Sequence, residues 1–315
     1  MDNILYLVIP CYNEEEVLTE TSARLKKKMY DLIEKNKIDQ KSRVIFVNDG
    51  SGDSTWKLIS LLHQQDKLFG GINLSRNRGH QNALLAGLMT VKDYADMVIS
   101  MDADLQDDID AIDEMIDKYS QGIDIVYGVR SSRAKDTFFK KATAEGFYKI
   151  MNSMGANTVF NHADYRLMSK RALEGLSQFE EVNLFLRGIV PMIGYPTDVV
   201  YYERGERFAG ESKYPFGKML SFAIEGITSL STKPIRMITF LGFFIFLVSI
   251  GILIYSLVRH FMGATIVGWT TLMVSVWGIG GLILLSLGVV GEYIGKIYLE
   301  TKARPRYIVE QFLHD

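Results

Sequence analysis

The amino-acid sequence predicts an α/β protein: a largely parallel sheet with helices on both faces, followed by a hairpin of two membrane-spanning helices. Three features of the 315-residue chain point to it. Short apolar runs alternate with helix-period segments through the first 130 residues. Conspicuous polar clusters follow several of the apolar runs. Charges, spread evenly as far as Arg236, then vanish from two long stretches near the C-terminus.

Ile4–Ile9, Val44–Val47, Gly71–Leu74, Met97–Met101 and Ile123–Val129 are short and apolar, so they read as strands. Between them, Glu14–Asn36, Asp53–Gln65, Gly79–Val91 and Asp108–Gln121 carry apolar residues at three- and four-residue steps, the period of a helix with one buried face. Such alternation builds a sheet covered on both sides, and ligands gather at the carboxyl ends of its strands. From Ala134 to Arg204 the pattern is mixed, and fits a helix over Thr137–Met154, a strand at Tyr165–Ser169, a helix at Val182–Ile193 and a strand at Thr197–Tyr202. The polar loop Glu203–Lys213 has no period. Beyond it Phe216, Met219, Leu220, Ala223, Ile227 and Leu230 recur at helical spacing. That is an amphipathic helix suited to a membrane surface, a helix packed on the core being the plainer alternative.

Met237–Val258 and Phe261–Gly291 contain no charged residue, and about 20 apolar residues suffice to cross the hydrocarbon core. Lys233 and Arg236 precede the first stretch, while Lys296, Lys302, Arg304 and Arg306 follow the second. The link Arg259–Gly268 holds only Arg259 and His260 as basic residues. The positive-inside rule therefore places both chain ends in the cytoplasm, at the plasma membrane. The expected organisation is a globular domain at 1–205, a juxtamembrane loop and helix at 206–235, two spans at 236–292 and a cytoplasmic tail at 293–315. Gly278, Gly280, Gly281 and Gly288 in the second span permit close helix packing, as in a homo-oligomer.

A net charge of −2 gives no basic field, which argues against a nucleic-acid partner. Cys11 is the single cysteine, so an intramolecular disulfide and a cysteine metal site are both excluded, in keeping with a reducing compartment. The N-terminus shows neither the basic segment nor the cleavage site of a signal peptide.

The polar clusters carry the chemistry. Asp102-Ala-Asp104-Leu-Gln106 ends an apolar strand and offers hard oxygen donors at alternate positions, the type that Mg2+ and Mn2+ take while keeping substrate phosphates in their shell. In Asn48-Asp-Gly-Ser-Gly-Asp-Ser-Thr55, Asp53 or Ser54 serves as a helix cap. Asp49 has no such duty and is placed to accept hydrogen bonds from a base or ribose. Ser75-Arg-Asn-Arg-Gly-His80 is a second polar loop ahead of a helix, able to meet an anion or a sugar.

Pro10-Cys-Tyr-Asn-Glu14, Asn48-Asp-Gly-Ser51, Ser75-Arg-Asn-Arg-Gly79, Asp102-Ala-Asp-Leu-Gln106, Ala163-Asp-Tyr-Arg-Leu167 and Arg207-x-x-Gly-x-Ser-Lys-Tyr214 follow in that order. In this the chain resembles family 2 glycosyltransferases of the GT-A fold, specifically the branch acting on polyisoprenyl phosphates: dolichyl-phosphate mannose synthases and bacterial undecaprenyl-phosphate (bactoprenol) glucosyltransferases. The resemblance spans nearly the whole chain, including the two apolar stretches. Asn48 stands where the family often carries Asp, whereas Asp49 is retained. The resemblance implies that Pro10, Tyr12 and Glu14 hold the nucleotide, with Val47 and Asp49 around the base and Asp102 and Ala103 also in contact with it. It implies a divalent cation, Mg2+ or Mn2+, on Asp104 and Gln106, and phosphate binding by Arg130, Arg207 and Lys213. Asp164 matches the candidate catalytic aspartate.

The implied reaction moves one sugar from a UDP- or GDP-sugar to a lipid phosphate, with inversion at the anomeric carbon. Cationic donors stabilise the departing diphosphate. The acceptor, a phosphate monoester with a second pKa near 6, is largely deprotonated at neutral pH. Asp164 is then free to orient the acceptor or balance charge instead of taking a proton. A processive polysaccharide synthase would need more spans and a Gln-x-x-Arg-Trp motif, where this chain has Phe185-Leu-Arg-Gly188. A catalytically dead scaffold is disfavoured by the intact motifs.

Overall fold

The computed structural model describes residues 3–131, 162–203, 228, 231–262 and 268–314. They divide into an α/β unit that holds the strands and a unit made of two long C-terminal helices. In sequence the α/β unit resumes after the helices, because residues 304–315 belong to it.

The α/β unit opens with β1 (Leu5–Cys11), α1 (Leu18–Glu34), β2 (Arg43–Asn48), α2 (Thr55–Gln65), β3 (Phe69–Leu74), α3 (His80–Val91), β4 (Met97–Ser100) and α4 (Ala111–Ser120). It continues through β5 (Ile125–Arg130), β6 (His162–Ser169), α5 (Lys170–Ser177), α6 (Leu186–Met192) and β7 (Thr197–Tyr202), and closes with β8 (Val309–Leu313). Among the described residues the strands form one sheet in the order β7-β5-β6-β4-β1-β2-β3-β8. β1 pairs in parallel with β2 and β4, β2 with β3, and β5 with β7. β6 runs antiparallel between β4 and β5, and β8 antiparallel along β3.

β1 is buried along its whole length, as a strand covered on both faces must be. Leu5, Leu7, Ile9 and Cys11 point into a core shared with α1, α2 and α4; Tyr6 and Val8 point into a second core shared with α3, α5 and α6. α3 rides close on the sheet at Gly87, where an added Cβ would lie 2.4 Å from Val8 Cγ1 and 2.7 Å from Val47 Cγ2. That approach brings the N-terminal end of α3 over the strand ends.

The expected alternation of strands and helices holds through residue 130, with ends shifted by a few residues. α1 starts late because the Val17 and Leu18 amides bond back to the Glu14 carbonyl and make residues 14–17 a turn. The helix expected over Val182–Ile193 occupies only Leu186–Met192, and α5, which directly follows β6, is not anticipated. The stretch 293–315, expected as a tail, is structured instead. The second long helix continues to Lys302, and Val309–Leu313 completes the sheet. The helix expected over Thr137–Met154, the loop Arg204–Lys213 and most of the amphipathic segment Phe216–Leu230 lie outside the described residues.

In the helical unit, α7 (Lys233–Phe261) and α8 (Trp269–Lys302) are both long and apolar enough to cross a membrane. Phe240, Phe244, Leu284 and Leu287 stand exposed on them as outward apolar surface. The Tyr293 hydroxyl donates to the Ser231 carbonyl within this unit.

Candidate active site

The polar loops after β1 and β2 are fastened to each other. The Asp49 amide donates to the Cys11 carbonyl at 2.9 Å, Asn13 N to Ser51 Oγ at 3.0 Å, Gly52 N to Asn13 Oδ1 at 2.9 Å and Glu14 N to Thr55 Oγ1 at 2.9 Å. Asn13 adopts a positive φ of 55° to make the turn, as Asn does more readily than most residues. Tyr12 is left half-exposed beside it, free to offer its ring to a flat ligand. Pro10 lies within β1, paired with Val47 of β2, and Glu14 is half-buried at the turn into α1.

Two of the expected nucleotide contacts lie in this corner. Val47 is fully buried, since alternation along β2 turns its side chain under α3. Asp49 is also buried, and its carboxylate accepts from Arg78 N at 2.7 Å and Gly79 N at 2.9 Å. Through these bonds it clamps the loop before α3. Burial raises its pKa against the pull of those two amides. Gly50 is required in this corner: its φ is +65°, and a Cβ would stand 2.5 Å from Asn77 N.

Beyond β4 the backbone turns sharply. The Ala103 carbonyl accepts from Thr21 Oγ1 at 2.8 Å, and Asp104 Oδ1 accepts from Gln106 N at 3.2 Å. Leu105, between them, is held at φ 56° with its side chain buried, a conformation an apolar L-residue adopts only under constraint. This Asx turn places Asp104 and Gln106 just beyond the end of β4. Asp102 is about one-third exposed, and desolvation, joined by the charges of Asp107, Asp164 and Asp104 and opposed by His80, pushes its pKa up to about 6.

The antiparallel run of β6 supplies the facing wall. Ser100 is opposite Arg166, so the register carries Asp164 to the level of Asp102. Asp164 is buried, its oxygens 2.8 Å from Arg166 Nη2, 3.1 Å from Arg187 Nη2 and 3.6 Å from His80 Nε2; His80 stands 3.6 Å from Asp102 as well. Burial alone would raise the Asp164 pKa, but Arg187, His80 and Arg166 hold it well below the usual carboxylate range. Gln81 Oε1 accepts from Leu186 N at 2.9 Å and fixes the start of α6, which carries Arg187, against α3.

Arg130, an expected phosphate ligand, sits at the end of β5 and turns inward. Its Nη2 lies 3.3 Å from Asp107 Oδ1, which also accepts from the Tyr202 hydroxyl at 2.5 Å. The arginine thus braces the loop behind Gln106. Arg207 and Lys213 lie outside the described residues. His80, Asp107, Arg166 and Arg187 are not singled out by sequence reasoning, although three of them stand inside quoted segments. Arg166 alternates with Asp164 along one strand, a spacing that puts both on one face.

Among the described residues no three His, Cys, Asp or Glu side chains converge as a preformed metal cage. Mg2+ is commonly bound through one or two carboxylates, with substrate phosphates completing the shell. The carboxylate of Asp104 and the amide oxygen of Gln106, two residues apart on one turn, are donors of the type such a partial site uses.

Residues 6–177 match the family model described as Glycosyl transferase family 2. The chain belongs to that family. It is 52% identical over 312 residues to an uncharacterized glycosyltransferase of Bacillus subtilis (strain 168), YkoT, covering 99% of this chain and 93% of the relative. It is 39% identical over 309 residues to the bactoprenol glucosyl transferase of Shigella phage SfX, covering 96% of this chain and 98% of the relative. Among solved structures, the mannosyltransferase PcManGT from Pyrobaculum calidifontis in complex with GDP-Man and Mn2+ matches 71% of this chain and 61% of its own, at a TM-score of 0.47 and 16% identity. In this glycosyltransferase the GT-A sheet brings the family motifs after β1, β2 and β4 to one edge, with the Asp164 motif entering from the antiparallel strand.

Proposed function

We propose that this glycosyltransferase moves a single glucose from UDP-glucose to a polyisoprenyl phosphate at a membrane. The observation that carries the reading is the near full-length similarity to a bactoprenol glucosyl transferase, which extends through both apolar helices. The Tyr12 ring and the loops after β1 and β2 would hold the nucleotide, with Pro10, Glu14, Asp102 and Ala103 around it. Mg2+ or Mn2+ on Asp104 and Gln106 would neutralise charge on the diphosphate.

The transfer forms a bond between an acceptor phosphate oxygen and the anomeric carbon, and breaks the bond from that carbon to the diphosphate, whose electron pair leaves with UDP. A phosphate dianion needs no base to become a nucleophile. Asp164, kept ionised by its cationic neighbours, is poorly suited to accept a proton. Its part is to hold Arg187, one-third exposed at the site, where the guanidinium meets phosphate oxygens. Arg207 and Lys213, just before the hairpin, would receive the lipid phosphate. A single in-line displacement inverts the anomeric carbon. Both flanks of the hairpin would lie on the cytoplasmic side, a reading supported by their basic residues and by the membership of β7, before the hairpin, and β8, after it, in one sheet. Glycines 278, 280, 281 and 288 have no described atom within 4 Å of an added Cβ, which leaves room for a second copy.

The test incubates membranes containing undecaprenyl phosphate and the enzyme with labelled UDP-glucose, UDP-N-acetylglucosamine or GDP-mannose. Lipid-extractable label is expected from UDP-glucose. Absence of such label from all three donors overturns the proposal, and label from another donor corrects the sugar.

A further inference from the structure

The segment that follows α8 reaches the nucleotide side of the sheet through a chain of three side-chain hydrogen bonds. Glu310, on β8, accepts from Asn73 Nδ2 at 2.9 Å. Asn73, on β3, accepts through Oδ1 from Asn48 Nδ2 at 2.7 Å. Asn48, at the end of β2 and 3% exposed, accepts through Oδ1 from the Ser51 amide at 3.3 Å and so closes the Asn48–Ser51 turn. β8 is fixed alongside by backbone pairing with β3, by the Ser75 amide on the Ile308 carbonyl and by Arg306 Nη1 on the Phe179 carbonyl.

The chain has a direction, and its two ends set it. An ionised carboxylate only accepts, and a backbone N–H only donates. Each amide between them must therefore present NH2 toward Glu310 and oxygen toward Ser51. Reversing either amide would set NH2 against N–H, or oxygen against oxygen. The two amides can thus carry the polarity of residue 310 across β3 to the turn on β2.

We propose that Glu310 is a positioning residue for the nucleotide-binding turn, acting through the orientation of Asn73 and Asn48. This rests on the proposed function, in which the turn after β2 borders the nucleotide. Asn48→Asp creates acceptors at both ends of Asn73, which one amide cannot satisfy. Adding Glu310→Gln lets Asn73 reverse, donating to residue 48 and accepting from the new carboxamide.

The experiment titrates UDP into the full-length protein in detergent by calorimetry, for wild type, each single variant and the double variant, with melting curves beside them. Asn48→Asp is expected to weaken UDP binding three- to tenfold, about 0.7–1.4 kcal/mol at 1.4 kcal/mol per tenfold. That is the size of one net hydrogen bond. The double variant should recover to within about twofold of Glu310→Gln alone. If Asn48→Asp fails to fold, the reverse pair serves. Glu310→Lys, a donor in place of an acceptor, should cost three- to tenfold, and Asn48→Asp in that background should restore both melting and affinity. Equal losses whichever residue stands at 310, or no loss from Asn48→Asp, overturn the inference while leaving the function in place. A wild type with no affinity for UDP or GDP overturns both.

Discussion

The two sides of the site are built from different forces. On the β1–β2–β3 side the turns are held by neutral donors: backbone amides on Asp49, on Asn13 and on Asn48. On the β6–α6 side the order comes from charge, with Asp164 enclosed by Arg166, Arg187 and His80. A turn held by amides is rigid and suits a ligand that must only be bound. A cluster of opposed charges holds strong fields at fixed places, as the stabilisation of a departing diphosphate requires. The difference implies that lesions on the first side act on donor affinity and those on the second on turnover.

The largest effect is expected where the two sides meet. Asp104→Asn should lower turnover by roughly 10²–10³-fold, the scale of a lost charge-stabilising group, and chelation with EDTA should abolish transfer until Mg2+ or Mn2+ is returned. Full activity in chelator would remove the cation from the scheme. Next, Arg187→Ala is expected to reduce kcat about a hundredfold while calorimetry finds UDP affinity within roughly twofold of wild type. Asp49→Asn sets an NH2 against one of the two amides while its oxygen still accepts from the other, and should raise the KM for donor about tenfold with little change in kcat, the cost of one orphaned donor. Steady-state kinetics on these two variants together would break the comparison if both moved the same constant.

The smallest effect concerns Asp102. Its pKa rises from the usual 3.8 to about 6, so the fold disfavours the ionised form, chiefly because the carboxyl is desolvated. That penalty is present above pH 6, fades as pH falls through 6, and is gone once the unfolded chain is protonated too. Asp102→Asn, melted in chelator without nucleotide, should therefore gain a few degrees in Tm at pH 7.5 and nothing at pH 4. A gain independent of pH would mean that the carboxyl is not under electrostatic pressure.

Much of this was legible in the sequence, because strand and helix periods depend on local spacing. Ile4–Ile9 and Met97–Met101 declare themselves by continuous apolar character, and their polar successors mark the site edge. What stayed hidden depends on partners distant in the chain. The packing of Val47 under α3 depends on a helix some forty residues later in the chain. Arg130 reads as a phosphate ligand in the sequence, which does not show the ties to Asp107 and Tyr202 that position it. Arg187 gains its meaning only from Asp164, 23 residues earlier. β8 is five residues long with Glu310 and Gln311 exposed, and nothing in such a segment announces a strand until the edge of β3 is there to receive it.

That late strand sets a timetable for synthesis. The edge of β3, Phe69–Leu74, is made early, but its neighbour is translated only after the α7 and α8 residues have been made. Through that interval the nascent sheet carries an open edge, the kind of surface on which chains pair with one another. Prompt capture of the emerging helices by the membrane would keep neighbouring nascent chains apart during it. A fragment cut before Lys233 never reaches the end of that interval, and should precipitate or self-associate where the full chain in detergent does not.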